Sequence, residues 1–383
     1  MRFNYEQEWN SEILNNLCQF YKGNGLSKND LSDSGYSCIL YGQLYTTYLN
    51  EVITSTVSKT NAKLDNPFYA KRNDLIIPSS GEDPIDIAVA RSLQVDNVLL
   101  GGDLNVLRPK SILNSSFLSY QLNGKRKVDI AKIAQGKSIV HLHNCDLKRI
   151  KINYPCIEEQ NKIANLLFQL DKLIETQIKI IEDYEELKSW ITDQIFNREV
   201  STKKLKSLIF EVNQRNKLQL ALDVLTVSNK RGFIKQSEQF EERNVASEDT
   251  SNYKIVCVDQ YAYNPARINV GSIARLNNYE KGIISPMYTC FEINEEKLNP
   301  IYFDLFLKSK SFKSQLNKKL EGSVRQCLIF SGMLSMEIPL PSIQTQSVIA
   351  KRISMLDSNI KIENTYLVRL KQQKKYLLDN LFI

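Results

Sequence analysis

Gly136-Lys137-Ser138, within KIAQGKSIVH, has the tail of a loop that grips nucleotide phosphates. The full pattern, G-x-x-x-x-G-K-[ST], cradles phosphate oxygens on backbone N–H groups and sends its lysine to the outer ones. Here Ala131 stands at the first glycine position and KRKVDI ahead of it is a poor buried strand. DNPF (65–68) and YNPA (263–266) approach the [DNS]-P-P-[FY] motif of adenine methyltransferases. Both lack its second proline, and no F-x-G-x-G accompanies them, so they read as turns. Glu82, Asp83 and Asp86 could share a proton or a metal, but they lie in a Ser-Gly-Pro-rich loop and read as solvated acids. His141 and His143 alternate as on a strand and have no partner cluster, so no metal site is expected. The seven cysteines are scattered without a C-x-x-C pair, which suits the reduced thiols of a cytoplasmic protein. No constellation here makes a catalytic site.

The elements that could position any function must come from the rest of the chain. At 383 residues there is room for two or three domains. Hydrophobic content of 42% with 24% charged residues is that of a globular protein. No apolar run approaches the ~20 residues of a membrane span, and MRFNYEQEWN lacks the apolar core of a secretory signal. No membrane partner is expected. Charge is uneven: residues 1–200 carry −2 and residues 201–383 carry +9. The surplus in the second half is compatible with a polyanionic partner.

The chain repeats itself. At an offset of 186, YPCIEEQNKIANLLFQLDKLI (154–174) falls on LPSIQTQSVIAKRISMLDSNI (340–360). Pro155/Pro341, Gln160/Gln346, Ile163/Ile349, Leu170/Leu356 and Asp171/Asp357 are identical, and the register continues through Lys188/Lys374 to Phe196/Phe382. Backwards it runs without a gap through Gly136/Gly322 to Phe117/Phe303. Gly136 recurs, but Lys137-Ser138 become Ser323-Val324, so the glycine is a turn residue and the phosphate loop a decoy. Upstream of 117 the similarity stops: residues 1–110 do not resemble 199–295. Each half joins a variable front portion, with short β-rich runs among Gly, Pro, Asn and Asp, to a repeated rear portion.

Residues 157–196 and 343–383 contain no Gly or Pro, and their apolar residues recur at alternating spacings of four and three. One series is Ile163, Leu170, Gln177, Tyr184, Ile191, and the other Leu167, Ile174, Ile181, Lys188, Ile195. The second copy gives Ile349, Leu356, Glu363, Leu370, Leu377 and Ile353, Ile360, Leu367, Lys374, Leu381. Each predicts a helix of ~40 residues, about 60 Å long. A lone helix cannot bury such a stripe, so the two are expected to pair as an antiparallel coiled coil. The expected register sets Lys188 against Glu363 and Gln177 against Lys374, sparing the seam an unpaired buried charge.

Two variable domains alternating with two repeated helices resemble the specificity subunit of type I restriction-modification enzymes. The hinge YPCIEEQNKIANLL matches that family's P-x-x-E-Q-x-x-I pattern at Pro155, Glu159, Gln160 and Ile163. KGNGLSKNDL, YGQLYTTY and IPSSGE in the first half, with YNPARINVGSIARL and GIISPMYTCFEI in the second, are also similar to family phrases. In the second hinge Thr345 replaces the glutamate, which puts identical contacts at the two hinges in doubt. The resemblance implies an α+β fold with a pseudo-twofold repeat: target recognition domains at 1–155 and 199–341, long helices at 156–198 and 342–383. It implies a non-catalytic chain whose recognition domains each read one half of a split duplex DNA target, the helices setting the spacer. Partners would be two modification (methyltransferase) subunits and ATP-dependent restriction subunits. S-adenosylmethionine, ATP and Mg would belong to those partners, with no cofactor in this chain.

Two other classes stay in play. A single-chain DNA-modifying enzyme would show methyltransferase, nuclease or ATPase activity alone, and an architectural coiled coil would bind no DNA selectively. Candidate DNA contacts are cations and aromatics in polar loops: Lys22, Lys28 and Tyr45, then Lys230, Arg231, Lys235, Arg243, Arg267 and Arg275.

Overall fold

The computed structural model describes residues 8–197, 201–239, 249–321 and 326–382. Arg243 and the stretch Gly322-Ser323-Val324 lie outside them. The chain divides into two compact units, Met1–Lys179 with Asn364–Ile383, and Ile180–Glu363. Both divisions fall inside the long helices Ile157–Phe196 and Ile343–Asn380, so each unit owns half of each helix. Among the described residues no helix is long and apolar enough to cross a membrane.

In the first unit, one sheet runs in the order Cys18–Lys22, Leu104–Pro109, Leu75–Pro78, Arg91–Leu93, Val52–Ile53. Its first four strands run antiparallel each to the next, and Val52–Ile53 is parallel to Arg91–Leu93. A second sheet runs Leu31–Ser32, Ser58–Thr60, Tyr36–Ile39, Val98–Leu100, Tyr69–Ala70, with Tyr36–Ile39 parallel to Val98–Leu100. In the second unit, one sheet runs Ile209–Val212, Thr289–Ile293, Tyr261–Tyr263, Ile273–Arg275, antiparallel throughout. The other runs Gly232–Lys235, Val224–Ser228, Lys281–Ile284, Lys254–Cys257, with Val224–Ser228 parallel to Lys281–Ile284.

These are one topology. Eight strands of the first unit map onto the eight sheet strands of the second in the same chain order, with the same neighbours and the same directions. The front portions, unlike in sequence, are therefore two copies of one fold. The apolar runs show why many sequences suffice. In DLIIP, Leu75 and Ile77 face the core shared with the helices while Ile76 faces the core against the second sheet. In QYAYN, Tyr261 and Tyr263 face the helix side and Ala262 the other. Both faces are buried, so period-two alternation of side chains only has to be apolar and fit.

The rear portions repeat in detail. A two-stranded clasp, Asn10–Ile13 with Lys151–Tyr154, recurs as Thr202–Lys204 with Glu337–Pro339. Beside it, Gln160 is fully buried at the start of the first long helix. Its amide donates to the carbonyls of Pro155 (2.9 Å) and Ile112 (3.0 Å) and accepts from the Asn114 N–H (2.8 Å). Gln346 does the same with Pro341 (2.9 Å), Lys297 (3.0 Å) and Asn299 (2.9 Å). The glutamine contacts at the two hinges are thus identical despite Thr345, whose hydroxyl instead meets Ser342 at 3.0 Å. Asn114 and Asn299 each cap the following helix, Ser115–Asn123 or Pro300–Lys308. These equivalences run at an offset of 185, one less than in the long helices. The expected gapless pairing of Phe117 with Phe303 is corrected: Phe117 corresponds to Tyr302, since Phe382 packs on Phe117 (5.2 Å) as Phe196 packs on Tyr302 (5.0 Å).

Each glutamine closes a proline turn and a helix cap at once. Replacing Gln160 by Leu strands buried backbone groups and should cost about 2–3 kcal/mol. Gln346→Leu should cost a similar amount. Urea midpoints check both, and a change under ~0.5 kcal/mol in either would deny the staple.

Candidate nucleic-acid interface

Sequence motifs with catalytic overtones resolve into local structure. Gly136 has φ 132°, and a Cβ there would stand 2.0 Å from the Ile139 carbonyl oxygen. It sits in a turn closed by paired backbone hydrogen bonds between Gln135 and His141 (2.9 and 2.7 Å). The nearby helix, Lys127–Ile133, precedes the glycine instead of following it, so no helix N-terminus faces a phosphate. Asp83 caps the short helix Pro84–Ile87. Asn264 accepts from the Ala266 N–H at 3.1 Å, a turn contact. Among the described residues no cluster of three or more His, Cys, Asp or Glu could hold a metal.

The shared topology gives three of the DNA candidates equivalent places. In the second unit, strands Val224–Ser228 and Gly232–Lys235 form a tight hairpin whose tip carries Lys230 and Arg231, both exposed. Gly232, at φ 67°, takes the left-handed conformation that closes it. The equivalent connection in the first unit, between Tyr36–Ile39 and Ser58–Thr60, is longer and holds the helix Gln43–Thr46 with Tyr45. Of the candidates chosen from loop composition, Tyr45, Lys230 and Arg231 thus lie on one connection of one fold.

The surroundings of that connection differ in charge. In the first unit Tyr41 and Tyr45 border a cavity of about 490 Å³ together with Glu82, Asp86 and Asp103. Burial, then Tyr41, Glu82 and Asp86, push the Tyr45 phenol above its usual range. The same two tyrosines line a neighbouring cavity of about 550 Å³ with Lys28, which is exposed. Lys22 is exposed at the end of its strand. In the second unit a groove of about 410 Å³ holds Lys230, Arg231, Arg275, Lys308 and Lys313. The last two lysines were not among the sequence candidates; the +9 charge and the run KSKSFKSQLNKK were their signal.

Arg275 is a correction. Its guanidinium binds Asp259 (2.7 Å) and Asp304 (2.9 Å), and its side chain is 15% exposed. With both prongs of the fork occupied, it braces the sheet and offers no free pair of donors to a base. Lys235 pairs with Asp223 at 2.9 Å, whereas Arg267 is exposed at a turn beside the hairpin.

The helix seam is also revised. Ile163, Leu167, Leu170, Ile174, Gln177, Ile181, Ile353 and Leu370 are buried, and Tyr184, Lys188, Ile349, Leu356, Ile360, Glu363, Leu367 and Lys374 half-buried. The ion pairs of the two lysines are with acids other than the expected neighbours, Glu363 for Lys188 and the neutral Gln177 for Lys374. Lys188 binds Asp357 in the second unit, and Lys374 binds Asp171 (2.6 Å) and Glu51 (2.6 Å) in the first. Residue numbers fall along one helix as they rise along the other, as antiparallel packing requires, but the register differs from expectation by about one heptad. The lysine stems fill the seam while their ammonium groups reach carboxylates on its flank. The identity of Asp171 with Asp357 was the signal.

The two lysines are equivalent in sequence and unequal in setting. Asp171 is 2% exposed and also accepts from the Tyr120 hydroxyl (2.7 Å), while Asp357 is half exposed. Burial opposes the Lys374 charge, but Glu51 and Asp171 outweigh it and hold the ammonium above its usual 10.5. Lys374→Met should therefore cost about 3–5 kcal/mol by leaving two buried carboxylates, and Lys188→Met under ~1 kcal/mol. Denaturant midpoints decide between this ranking and its reverse. A raised lysine stabilises the fold below the unfolded value, and the benefit fades as pH climbs through the folded value. Stability should thus fall above about pH 10.5, less steeply in Lys374→Met, as pH-dependent unfolding would record.

A family model for the type I restriction modification DNA specificity domain matches residues 6–183 and again 209–372. The chain is 23% identical over 370 residues to the type I restriction enzyme MjaVIII specificity subunit of Methanocaldococcus jannaschii, covering 88% of this chain and 84% of that one. In fold it is similar to the crystal structure of a type I restriction-modification S subunit from M. genitalium, with TM-score 0.60, 17% identity and coverage of 100% and 98%. The HsdS subunit from Thermoanaerobacter tengcongensis gives TM-score 0.51 at 14% identity, covering 100% of this chain and 98% of that one.

Proposed function

The chain belongs to the type I restriction-modification DNA specificity family, and on that premise we propose that it reads a bipartite duplex target, one half-site per recognition domain. The observation that carries this is the shared topology of two front portions that differ in sequence at the same exposed connection. One scaffold presented twice with different side chains suits two different half-sites. The antiparallel helices would set the distance between them and offer docking surfaces to two modification subunits. Restriction subunits would join that complex. Methyl transfer from S-adenosylmethionine and ATP hydrolysis with Mg would be the work of those partners, and this chain would be non-catalytic.

Exchange of residues 1–110 for those of a relative tests the reading. In cells carrying the partner subunits, one half of the methylated motif should change while the other half and the spacer persist. Simultaneous change of both halves counts against it. Adding one heptad to each long helix lengthens it by ~10 Å at ~1.5 Å per residue. At ~3.4 Å per base pair the spacer should grow by about three base pairs with both half-sites intact. An unaltered spacer would remove the helices from the measurement.

A further inference from the structure

In the second unit two cavities share one ribbon. The hairpin Val224–Ser228 and Gly232–Lys235, with its tip at Asn229–Arg231, contributes to both. One is the cationic groove at the tip, and the other a cavity of about 290 Å³ along the strand Val224–Ser228, bordered by Arg267, Val270, Met287 and Gln236. Their chemistry is opposite. Near the groove the ion pairs engage Lys235, Arg275 and Lys310, leaving Lys230, Arg231, Lys308 and Lys313 with none among the described residues. Asp304, the acid lining the groove, shares Arg275 with Asp259, so that trio sets a net charge of only −1 against the four cations. The second cavity has one exposed guanidinium and two apolar tips, Met287 69% and Val270 55% exposed.

We infer that this ribbon divides recognition: its Lys308/Lys313 side clamps the phosphate backbone and its Arg267/Met287 side reads base edges. The inference rests on the proposed DNA-reading function and goes further by assigning each face its part. A two-stranded ribbon fits the major groove. Unpaired lysines with several rotatable bonds suit phosphates, which need charge more than geometry. A fork beside apolar tips suits a guanine edge flanked by a thymine methyl. Lys308 and Lys313 belong to helices of the rear portion, so the clamp is built partly on the scaffold and partly on the variable hairpin.

The test uses the full chain and a duplex enriched by it from a random pool, beside a scrambled duplex. Lys308→Ala with Lys313→Ala should weaken both duplexes by one common factor. The slope of log affinity against log salt should flatten by about two, from ~0.9 per lost phosphate contact. Arg267→Ala should lower the preference for the enriched duplex by roughly tenfold and change the preferred base at one position. All three side chains are exposed, so melting temperatures should hold. An unchanged salt slope in the double variant overturns the clamp, and equal weakening of both duplexes by Arg267→Ala overturns the reading face. Wild-type chain that enriches no sequence would instead remove the DNA-reading function itself, a failure distinct from either.

Discussion

A helix of 40 residues with an apolar stripe on one side cannot bury that stripe by folding on itself. Everything else in the chain depends on how that constraint is met. In the first unit Ile163, Leu167, Leu170 and Ile174 join Leu370, Leu377 and Leu381 in one core. In the second unit Ile191 and Ile195 meet Ile349, Ile353 and Leu356. Burying each such side chain contributes about 1.5–3 kcal/mol. The same cores take in the sheets through Leu75, Ile77 and Leu107 in the first unit and Tyr261, Tyr263 and Phe291 in the second, with Phe117 on Phe382 and Phe196 between Tyr302 and Phe306 beside them. Helix halves and sheet therefore share one packed interior within a unit, and the sheet cannot turn on its helices without opening it.

Polar residues placed in that interior add direction to it. A lysine in the seam forbids every register in which no carboxylate reaches it. The first unit uses this twice over, because Glu51 comes from the front portion while Asp171 comes from the helix. One ammonium group thereby ties a recognition sheet to the scaffold as well as one helix to another. At the equivalent place in the second unit Lys188 holds Asp357 alone, and that carboxylate stays half in water. In that unit Asp193 ties the long helix to the helix Lys310–Lys319, binding Lys310 through both its backbone N–H (3.0 Å) and its ammonium (2.8 Å).

The repeat, the long helices and their stripes were legible because each rests on many residues at a fixed spacing. The register was not, because it turns on a flanking acid. Asp171 lies outside the heptad stripe, and only its recurrence as Asp357 marks it. The one-residue slip before the hinge was hidden for a different reason. Tyr302 and Phe303 are adjacent aromatics, so either aligns with Phe117, and only the ring on which the helix-end phenylalanine rests tells them apart. The common fold of the front portions was the least legible. Its strands are two to six residues long and buried on both faces, so DLIIP and QYAYN satisfy the same requirement with no residue in common. Loop cations were legible as a class, but Arg275 shows that composition cannot separate a free fork from one already bound to two aspartates.

That illegibility has a physical counterpart in how recognition can differ between the two units. A connection between neighbouring strands at the end of a sheet lies outside the ladder, so its length and charge can vary at little cost to the core. The first unit fills that connection with a short helix and tyrosines near three acids; the second closes it in a three-residue tip bearing two cations. Carboxylates near a polyanion repel phosphate but can accept from exocyclic amines, whereas free lysines attract phosphate without discriminating bases. One topology can thus host a site dominated by hydrogen-bond selection and another dominated by charge. The uneven division of charge along the chain, −2 against +9, lies mostly in the long helices (−5 over 157–196, +4 over 343–383), so the two sheet-bearing portions differ more in where their charges stand than in how many they carry.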